Sequence, residues 1–150
     1  MLEMTEYDNL KLDNQLCFAL YAATHALTRA YRSALERSGL TYTQYLVMLV
    51  LWETDGISVG KIAQRLELDS GTLTPMLKRL ESAGMLKRTR NTTDERIVEI
   101  NLTDAGKSLQ DEIAAVQHGV ACKTGLGIDE FKQLTDSLHH LVVTMSVDKK

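Results

Sequence analysis

The chain has 150 residues, of which 44% are apolar and 25% charged, and its net charge is −3. This composition is typical of a folded globular protein and excludes a long disordered chain. The longest apolar run, Tyr45 to Trp52, is too short to span a bilayer, and the acidic N-terminus does not resemble a secretory signal. Two cysteines without an export signal favour free thiols in a reducing compartment, so we expect a cytoplasmic protein.

The first third of the chain predicts two helices. Apolar side chains recur every three or four positions over residues 13–37, with Asp13 as a plausible N-cap and Gly39 as the stop. Thr41 and Gln44 then fit a capping box. The helix that follows, to about residue 54, is apolar on nearly every side and is therefore expected to be buried.

The central part of the chain predicts two helices followed by a β-hairpin. Short amphipathic helices are expected over residues 58–66 and 70–83, and strand-like runs cover residues 85–90 and 96–102 with a polar loop between them. A helix, a turn, a second helix and a hairpin in this order make a winged helix-turn-helix, a fold that places a helix in the major groove of DNA.

Two further helices are predicted at the end of the chain. Thr103 caps a helix that runs to about residue 120, and a glycine-containing break follows at residues 125–127. The last helix, residues 129–147, carries an apolar stripe along one face.

The charge distribution supports binding to nucleic acid. Between residues 61 and 96 there are eight basic and five acidic residues, which leaves the rest of the chain with a net charge of −6. A basic module between acidic helices is the pattern of a compact DNA-binding domain, although a mixed solvated surface is the alternative. The basic residues are Lys61, Arg65, Lys78, Arg79, Lys87, Arg88, Arg90 and Arg96, and those on the hairpin strands, Arg88 and Arg90, are candidate DNA contacts.

The second helix of the pair is the candidate recognition helix. It offers short polar side chains near its start, a glycine that admits a phosphate, and two cations one or two turns later. These residues are Ser70, Thr72, Thr74, Gly71, Lys78 and Arg79, with Leu73, Leu77 and Leu80 as the packing face. Pro75 leaves two alternatives: the helix starts at Ser70 with an irregular first turn, or it starts at Thr74 with Pro75 at a favoured first position.

The hairpin carries an arginine at the junction of its loop and second strand. Arg96 in this position can enter a narrow minor groove, and Asp94 can hold its guanidinium by a charge-assisted bond. A surface ion pair at a turn is the alternative.

Cys17 lies close to the predicted start of the first helix, where backbone N–H groups and the helix dipole favour a thiolate. A thiolate is the form that attacks a peroxide. Tyr21, four residues later, lies on the same face and can donate to the sulfur. The alternative is an inert cysteine buried as a small apolar side chain.

Two further tyrosines lie towards the other end of the same helix. Tyr31 is about 21 Å from Cys17 along the helix axis and within about 40° of its face, so it cannot touch its own Cys17. If two such helices pair antiparallel, Tyr31 of one copy approaches Cys17 of the other, and Tyr42 lies near Tyr31. Packing at an interface is the alternative for these rings.

Four segments in order resemble the MarR family of transcriptional regulators: LDSGTLTPMLKRLE from Leu68, GML from Gly84, DER from Asp94 and LTDAG from Leu102. The resemblance implies a mainly α fold with a small β-wing, as a winged helix-turn-helix in an α-helical homodimer that binds pseudo-palindromic double-stranded operator DNA. Residues 1–150 then form a single domain, with dimerisation helices at 13–38 and 104–148 and a DNA-binding lobe at 41–102. Carried over by analogy, the recognition contacts are Ser70, Thr72, Thr74, Pro75, Lys78 and Arg79, and the wing pair is Asp94 and Arg96.

Within this family, the segment NQLCF from Asn14, with the tyrosines behind it, resembles the OhrR group of repressors that sense organic hydroperoxides. The resemblance implies that Cys17 is the peroxidatic cysteine, supported by Tyr21 and, from the other subunit, by Tyr31 and Tyr42. Cys122, placed just after the fifth helix, resembles the resolving cysteine of members that form an intersubunit disulfide. A chance cysteine at a helix end is the alternative.

Two other functions remain open at this point. A thiol peroxidase also uses two cysteines, but no βαβ pattern surrounds Cys17, so we expect no enzyme. A family member that responds to a phenolic ligand or a metal is the second. The candidate metal ligands are His25, His118, His139 and His140. The adjacent His139 and His140 point to different faces and do not make a good chelating pair, so we expect no metal site. We also expect no cofactor.

Overall fold

The computed structural model describes residues 6–147, and its helices and strands follow the predicted order. The helices are α1 Leu16–Leu35, α2 Tyr42–Glu53, α3 Val59–Leu66, α4 Ser70–Ser82, α5 Asp104–Lys123 and α6 Ile128–Ser146, and the strands are β1 Ile57–Ser58, β2 Leu86–Arg90 and β3 Val98–Leu102. The predicted mostly helical fold with a small β-wing is confirmed. Position 148, the predicted end of the second dimerisation segment, lies outside the described residues.

Helix α1 begins later than its apolar spacing predicts. The N-cap is Gln15 and not Asp13, so that prediction is wrong. The side-chain amide of Gln15 turns back and donates to the carbonyls of Asn9 and Lys11, at 2.6 and 2.9 Å. Asp13 itself lies in a short 3-10 turn, Leu12–Asn14, because these local bonds hold the chain outside the α-helix.

The boundary between α1 and α2 follows the prediction. Gly39 ends the first helical segment in the left-handed region, with φ of 67°, where a side chain would be strained. Thr41 and Gln44 form the predicted capping box: the Gln44 N–H donates to the Thr41 hydroxyl at 3.2 Å, and the Thr41 N–H donates to the Gln44 side chain at 3.0 Å. Helix α2 is central and buried.

Helices α3 and α4 form the helix-turn-helix. Ser58 caps α3, Glu67 turns the chain with a φ of 53°, and Asp69 caps α4. Because α4 starts at Ser70, Pro75 lies inside the helix, which decides between the two alternatives in favour of the earlier start.

The wing belongs to a three-stranded antiparallel sheet, in which β3 lies between β1 and β2. Ile100 on β3 pairs with Ile57 on one side and with Arg88 on the other. The sequence pattern predicts only the two hairpin strands, because β1 is two residues long and has no periodicity of its own. This third strand joins the start of the helix-turn-helix to the wing.

Helix α5 is longer than predicted. It continues past residue 120 to Lys123, so Cys122 lies in its last turn and not after it. Thr103 caps α5 as predicted, and the Gly106 N–H donates to its hydroxyl at 3.1 Å. A Cβ at Gly106 would collide with the Met85 carbonyl, so a glycine is required where α5 crosses the start of the wing.

The hydrophobic core is centred on α2 and does not extend into α6. Side chains that are essentially inaccessible come from α1, α2, α3, α4, α5 and the sheet. They are Leu35, Val47, Met48, Leu51, Ile62, Leu73, Leu77, Leu80, Leu86, Ile100 and Ile113. Helix α6 contributes no buried residue. None of the helices within residues 6–147 is both long and apolar enough to cross a membrane.

Candidate nucleic-acid interface and thiol sites

The N-terminus of α4 is closed by an acidic cap. The Asp69 carboxylate accepts from the Thr72 N–H at 2.8 Å and from the Thr72 hydroxyl at 2.6 Å. These bonds lower the pKa of Asp69 and hold a negative charge where the sequence analysis expects a phosphate. An added Cβ on Gly71 would lie 3.0 Å from the Asp69 carboxylate, so the glycine leaves room for the cap.

The recognition helix divides into a buried and an exposed face. Leu73, Leu77 and Leu80 are buried, as predicted for the packing face. The predicted contact residues on the other side are exposed, apart from Thr74, which is half-buried and donates to the Ser70 carbonyl at 2.7 Å. The exposed ones are Ser70, Gly71, Thr72, Pro75, Lys78 and Arg79.

The predicted ion pair at the wing is present. Arg96 is 91% exposed, and its guanidinium Nε lies 3.2 Å from the Asp94 carboxylate, which also accepts the Arg96 backbone N–H at 3.1 Å. Asn91, which sequence reasoning missed, organises the tip: its side-chain oxygen accepts from the N–H groups of Thr93 and Asp94. Arg96 therefore projects into solvent from a loop with internal hydrogen bonds.

The two hairpin arginines have different surroundings. The Arg88 guanidinium donates to Glu81 at 2.7 Å, and the Arg88 N–H donates to the same carboxylate at 3.1 Å. These bonds lower the pKa of Glu81 and tie the wing to the end of α4. Arg90 is exposed. Arg88 thus has a structural role that sequence reasoning did not assign, whereas the exposed Arg90 can face a ligand.

A cleft of about 640 Å³ separates the wing from the helix-turn-helix. Its lining includes Ser70 and Thr74 from α4, Lys61 from α3, and Arg88 and Arg96 from the hairpin. The structure therefore brings members of the predicted contact set from both elements to one concave surface.

Cys17 is the second residue of α1 and is exposed, not buried. The first bond of the helix joins the Ala19 N–H to the Gln15 carbonyl at 3.1 Å, so the N–H groups of the preceding residues have no acceptor within the helix. Among residues 6–147, no side chain caps this end. Within that part of the chain, the first N–H groups of the helix, beside the thiol, are therefore left without a partner.

The surroundings of Cys17 are aromatic and aliphatic. Tyr21 is 63% exposed, and its ring lies 4.2 Å from that of His25 and 6.5 Å from that of Phe18. Leu16 is also exposed. Within residues 6–147 of a single chain, no hydrogen bond joins Tyr21 to the Cys17 sulfur.

Tyr31 and Tyr42 meet at the far end of α1, together with Tyr45. The ring centroids are 5.5 Å apart for Tyr31 and Tyr42 and 5.0 Å apart for Tyr31 and Tyr45. Burial and the hydrogen bond with Tyr31 raise the pKa of Tyr45, and burial and the Tyr31 phenol raise that of Tyr42. Both phenols are therefore protonated hydrogen-bond donors. Sequence reasoning missed Tyr45 as a member, although its spacing of three from Tyr42 on one helix signals contact.

Cys122 is exposed in the last turn of α5, and its sulfur lies 3.7 Å from Nε2 of His118. Both cysteines are free in a single chain, so the structure does not join Cys17 to Cys122. Sequence reasoning missed the imidazole, although a spacing of four in a helix predicts the contact. Within residues 6–147, no three His, Cys, Asp or Glu side chains are grouped so that they could hold a metal ion.

The comparisons with known proteins agree on the class of molecule. The family model for the transcriptional regulator SarA/Rot matches residues 29–113. The HTH-type transcriptional regulator TtmR of Methylorubrum extorquens is 55% identical over 131 residues, covering 87% of this chain and 67% of TtmR. The organic hydroperoxide resistance transcriptional regulator of Bacillus subtilis is 41% identical over 140 residues, covering 93% of this chain and 95% of that protein.

Solved structures of AbfR, a protein of Staphylococcus epidermidis, show the same fold. Reduced AbfR bound to DNA matches with a TM-score of 0.76 at 38% identity, covering 93% of this chain and 97% of AbfR. AbfR with its disulfide formed matches with a TM-score of 0.64 at 37% identity, covering 94% of each chain. The predicted winged-helix class is confirmed. The chain is a DNA-binding transcriptional regulator that belongs to the SarA/Rot family, whose fold is the MarR-like winged helix.

Proposed function

We propose that this regulator is a redox-sensing repressor. Its reduced homodimer binds a pseudo-palindromic operator, and oxidation of Cys17 by an organic hydroperoxide releases the DNA. The observation that carries the proposal is the exposed Cys17 thiol at an uncapped helix N-terminus. Such an end stabilises an anion, and a thiolate is the nucleophile that reacts with a peroxide.

The side chains around Cys17 favour an organic oxidant over hydrogen peroxide. Leu16 and Phe18, the chain neighbours of Cys17, and Tyr21, one turn later, are all exposed, so this end of the helix as a whole offers apolar surface to the hydrocarbon part of an alkyl or aryl hydroperoxide. The relative from Bacillus subtilis, whose name refers to organic hydroperoxide resistance, supports the same class of oxidant.

The homodimer is supported by apolar side chains that a single chain leaves exposed. In α6, Ile128, Val143 and Met145 are each at least 66% exposed, and in α1 Leu16 is 62% exposed. Exposed apolar side chains along two helices favour an interface with a partner. A second copy would bury it through residues 13–38 and 104–148, leaving the lobe of residues 41–102 to contact DNA.

This dimer would also supply the tyrosines that Cys17 lacks in one chain. Tyr31 lies about 21 Å along α1 from Cys17, and its ring packs against that of Tyr42 on α2, with 5.5 Å between the centroids. If α1 pairs antiparallel with its copy, this pair of rings faces the Cys17 of the other subunit. There the phenols donate to the sulfur together with Tyr21.

The lobe would contact DNA through both of its elements. The exposed face of α4 lies in the major groove, and Lys78 and Arg79 neutralise phosphates. Arg96 enters the minor groove, held by Asp94, and Arg90 contacts the backbone. The acidic cap at Asp69 keeps the N-terminus of α4 from taking a phosphate directly, so the cations carry that contact.

The proposed switch consists of two chemical steps. The Cys17 thiolate attacks the hydroperoxide ROOH, the O–O bond breaks, and the products are Cys17–SOH and the alcohol ROH after protonation of the alkoxide. The Cys122 thiolate of the other subunit then displaces hydroxide and forms the disulfide. One hydroperoxide yields one disulfide, and this single turnover acts as a signal because it changes how the dimer binds DNA. The solved reduced and disulfide forms of AbfR support such a cycle.

Operator binding with and without oxidant tests this function. Cumene hydroperoxide is added to the complex of the protein with its own upstream DNA, followed by gel shift. The unmodified chain should release the DNA, whereas Cys17→Ser should bind equally well and stay bound. A non-reducing gel should show a covalent dimer for the oxidised unmodified chain and monomers for Cys17→Ser and Cys122→Ser. Equal release from Cys17→Ser would overturn the proposal.

A further inference from the structure

We propose that His118 is the proton acceptor that activates Cys122 for disulfide closure. This inference rests on the redox function proposed above and assigns a residue to its second step. His118 Nε2 lies 3.7 Å from the Cys122 sulfur, and both side chains are exposed on α5. A thiol can donate a hydrogen bond to an unprotonated imidazole nitrogen at this distance.

The position of Cys122 in its helix explains why it needs a base. Cys122 lies in the last turn of α5, where the Ala121 and Cys122 carbonyls accept from the N–H groups of Thr124 and Gly125. The carbonyl end of a helix carries partial negative charge, which disfavours a thiolate. This is the opposite of the environment of Cys17, at the amide end of α1.

His118 lies one turn before Cys122 on the same face of α5. Transfer of the proton from sulfur to Nε2 turns a neutral thiol and a neutral imidazole into a thiolate beside an imidazolium, so each charge forms next to an opposite one. Lys123 cannot replace this imidazole, because a residue one position away points to another face of the helix.

The closure step balances with His118 as the proton carrier. Cys122–SH gives its proton to Nε2, and the thiolate attacks the sulfur of Cys17–SOH on the other subunit. The S–S bond forms, the S–OH bond breaks, and the leaving hydroxide takes the proton from the His118 imidazolium to become water. The oxidising equivalent comes from the organic hydroperoxide of the first step, so the second step needs no further oxidant.

Alkylation of Cys122 tests the pair without any oxidation. In the full-length Cys17→Ser protein, Cys122 is the remaining cysteine, and its second-order rate with iodoacetamide is measured near neutral pH. Adding His118→Gln should slow this rate about fivefold or more, because the neutral amide cannot take up the proton. His139→Gln, on α6, is the matched control and should leave the rate unchanged. Equal rates with and without His118 would overturn the inference.

Disulfide closure in the otherwise unmodified chain gives the second measurement. After one equivalent of cumene hydroperoxide, a sulfenic-acid probe should report the same rate of Cys17 oxidation in His118→Gln, while formation of the covalent dimer slows about fivefold or more. Added imidazole should restore part of the closure rate in His118→Gln, which a merely structural defect would not allow. If His118→Gln closes as fast as the unmodified chain, His118 is not the base.

The two measurements separate this inference from the redox function. If the chain forms no disulfide but the alkylation of Cys122 still depends on His118, the proposed two-cysteine switch is wrong, while the activation of the Cys122 thiol by His118 stands. If His118→Gln forms the disulfide at the normal rate, the two-cysteine switch stands and the role of His118 is wrong.

Discussion

The winged lobe and the terminal helices of this chain differ in how they satisfy their apolar side chains. In the lobe, Leu73, Leu77 and Leu80 of α4 are each at most 1% exposed, whereas α6 buries none of its residues. Helix α1 contains both conditions: Leu35 at its end is fully buried, and Leu16 at its start is exposed. In a single chain, the apolar side chains of the lobe are buried, whereas those of α6 and of the start of α1 remain exposed.

This difference places the two chemical roles in different parts of the molecule. The candidate DNA contacts lie on the lobe, whose polar groups are tied by local hydrogen bonds such as those of Asp69 and Arg88. Both thiols are exposed, one on α1 and one on α5. Oxidation would then alter the assembly of two lobes and not the fold of either one, which suits a switch that must change the spacing of two recognition helices.

The comparison predicts its largest effect when the same truncation is made in each region. Leu77→Ala removes a buried side chain from the lobe and should lower the free energy of unfolding by about 3 kcal/mol, because a cavity remains. Leu134→Ala on α6 removes a half-exposed side chain and should leave the lobe stable while weakening dimerisation. Urea unfolding measures the first effect and sedimentation the second. Equal loss of folding stability in both variants would contradict the division.

A smaller effect is expected at the wing. Arg96→Ala should weaken operator binding about fivefold or more and lower the salt dependence of affinity by about one ion, because an exposed cation near phosphates is lost. Release by hydroperoxide should persist in the residual complex. Asp94→Ala is the matched control. It keeps the Arg96 cation but removes the carboxylate that holds the guanidinium in place, so the loss of affinity for the operator should be smaller than in Arg96→Ala. Binding isotherms at several salt concentrations distinguish the two variants.

The smallest effect concerns the ion pair of Arg88 and Glu81, which joins the wing to α4. Arg88 lowers the pKa of Glu81 below its ordinary value of 4.5, so the bond stabilises the fold above that value and is lost as the pH falls through the lowered pKa. Glu81→Gln should therefore flatten the decline of thermal stability between roughly pH 5 and pH 3. Thermal midpoints measured across this pH range check the prediction. If Glu81→Gln and the unmodified chain lose thermal stability equally with falling pH, the ion pair does not stabilise the fold.

The parts of the fold that depend on local chemistry could be predicted from the sequence. The capping box of Thr41 and Gln44, the left-handed Gly39 and the ion pair of Asp94 and Arg96 each involve neighbours within three residues, and all are present. Strand β1 could not be predicted, because its two residues gain their structure from pairing with β3.

Several features of the candidate sites could not be predicted from the sequence pattern. The start of α1 is displaced because the Gln15 amide bonds to earlier carbonyls, a choice that apolar spacing does not encode. The spacing of four between His118 and Cys122 predicts their contact only if α5 continues to Lys123, and the sequence pattern predicts an end near residue 120. The cap formed by Asp69 was not predicted, because the N-terminus of α4 that it occupies is also a favourable position for a phosphate.

Titration of the operator complex with an organic hydroperoxide tests the central claim most directly. DNA release, followed by fluorescence anisotropy, is compared with the fraction of Cys17 that has reacted, measured by mass spectrometry on the same samples. The account predicts that release rises in parallel with Cys17 oxidation and is complete near one equivalent of hydroperoxide per subunit. Full oxidation of Cys17 with the DNA still bound, or release while Cys17 remains reduced, would contradict it.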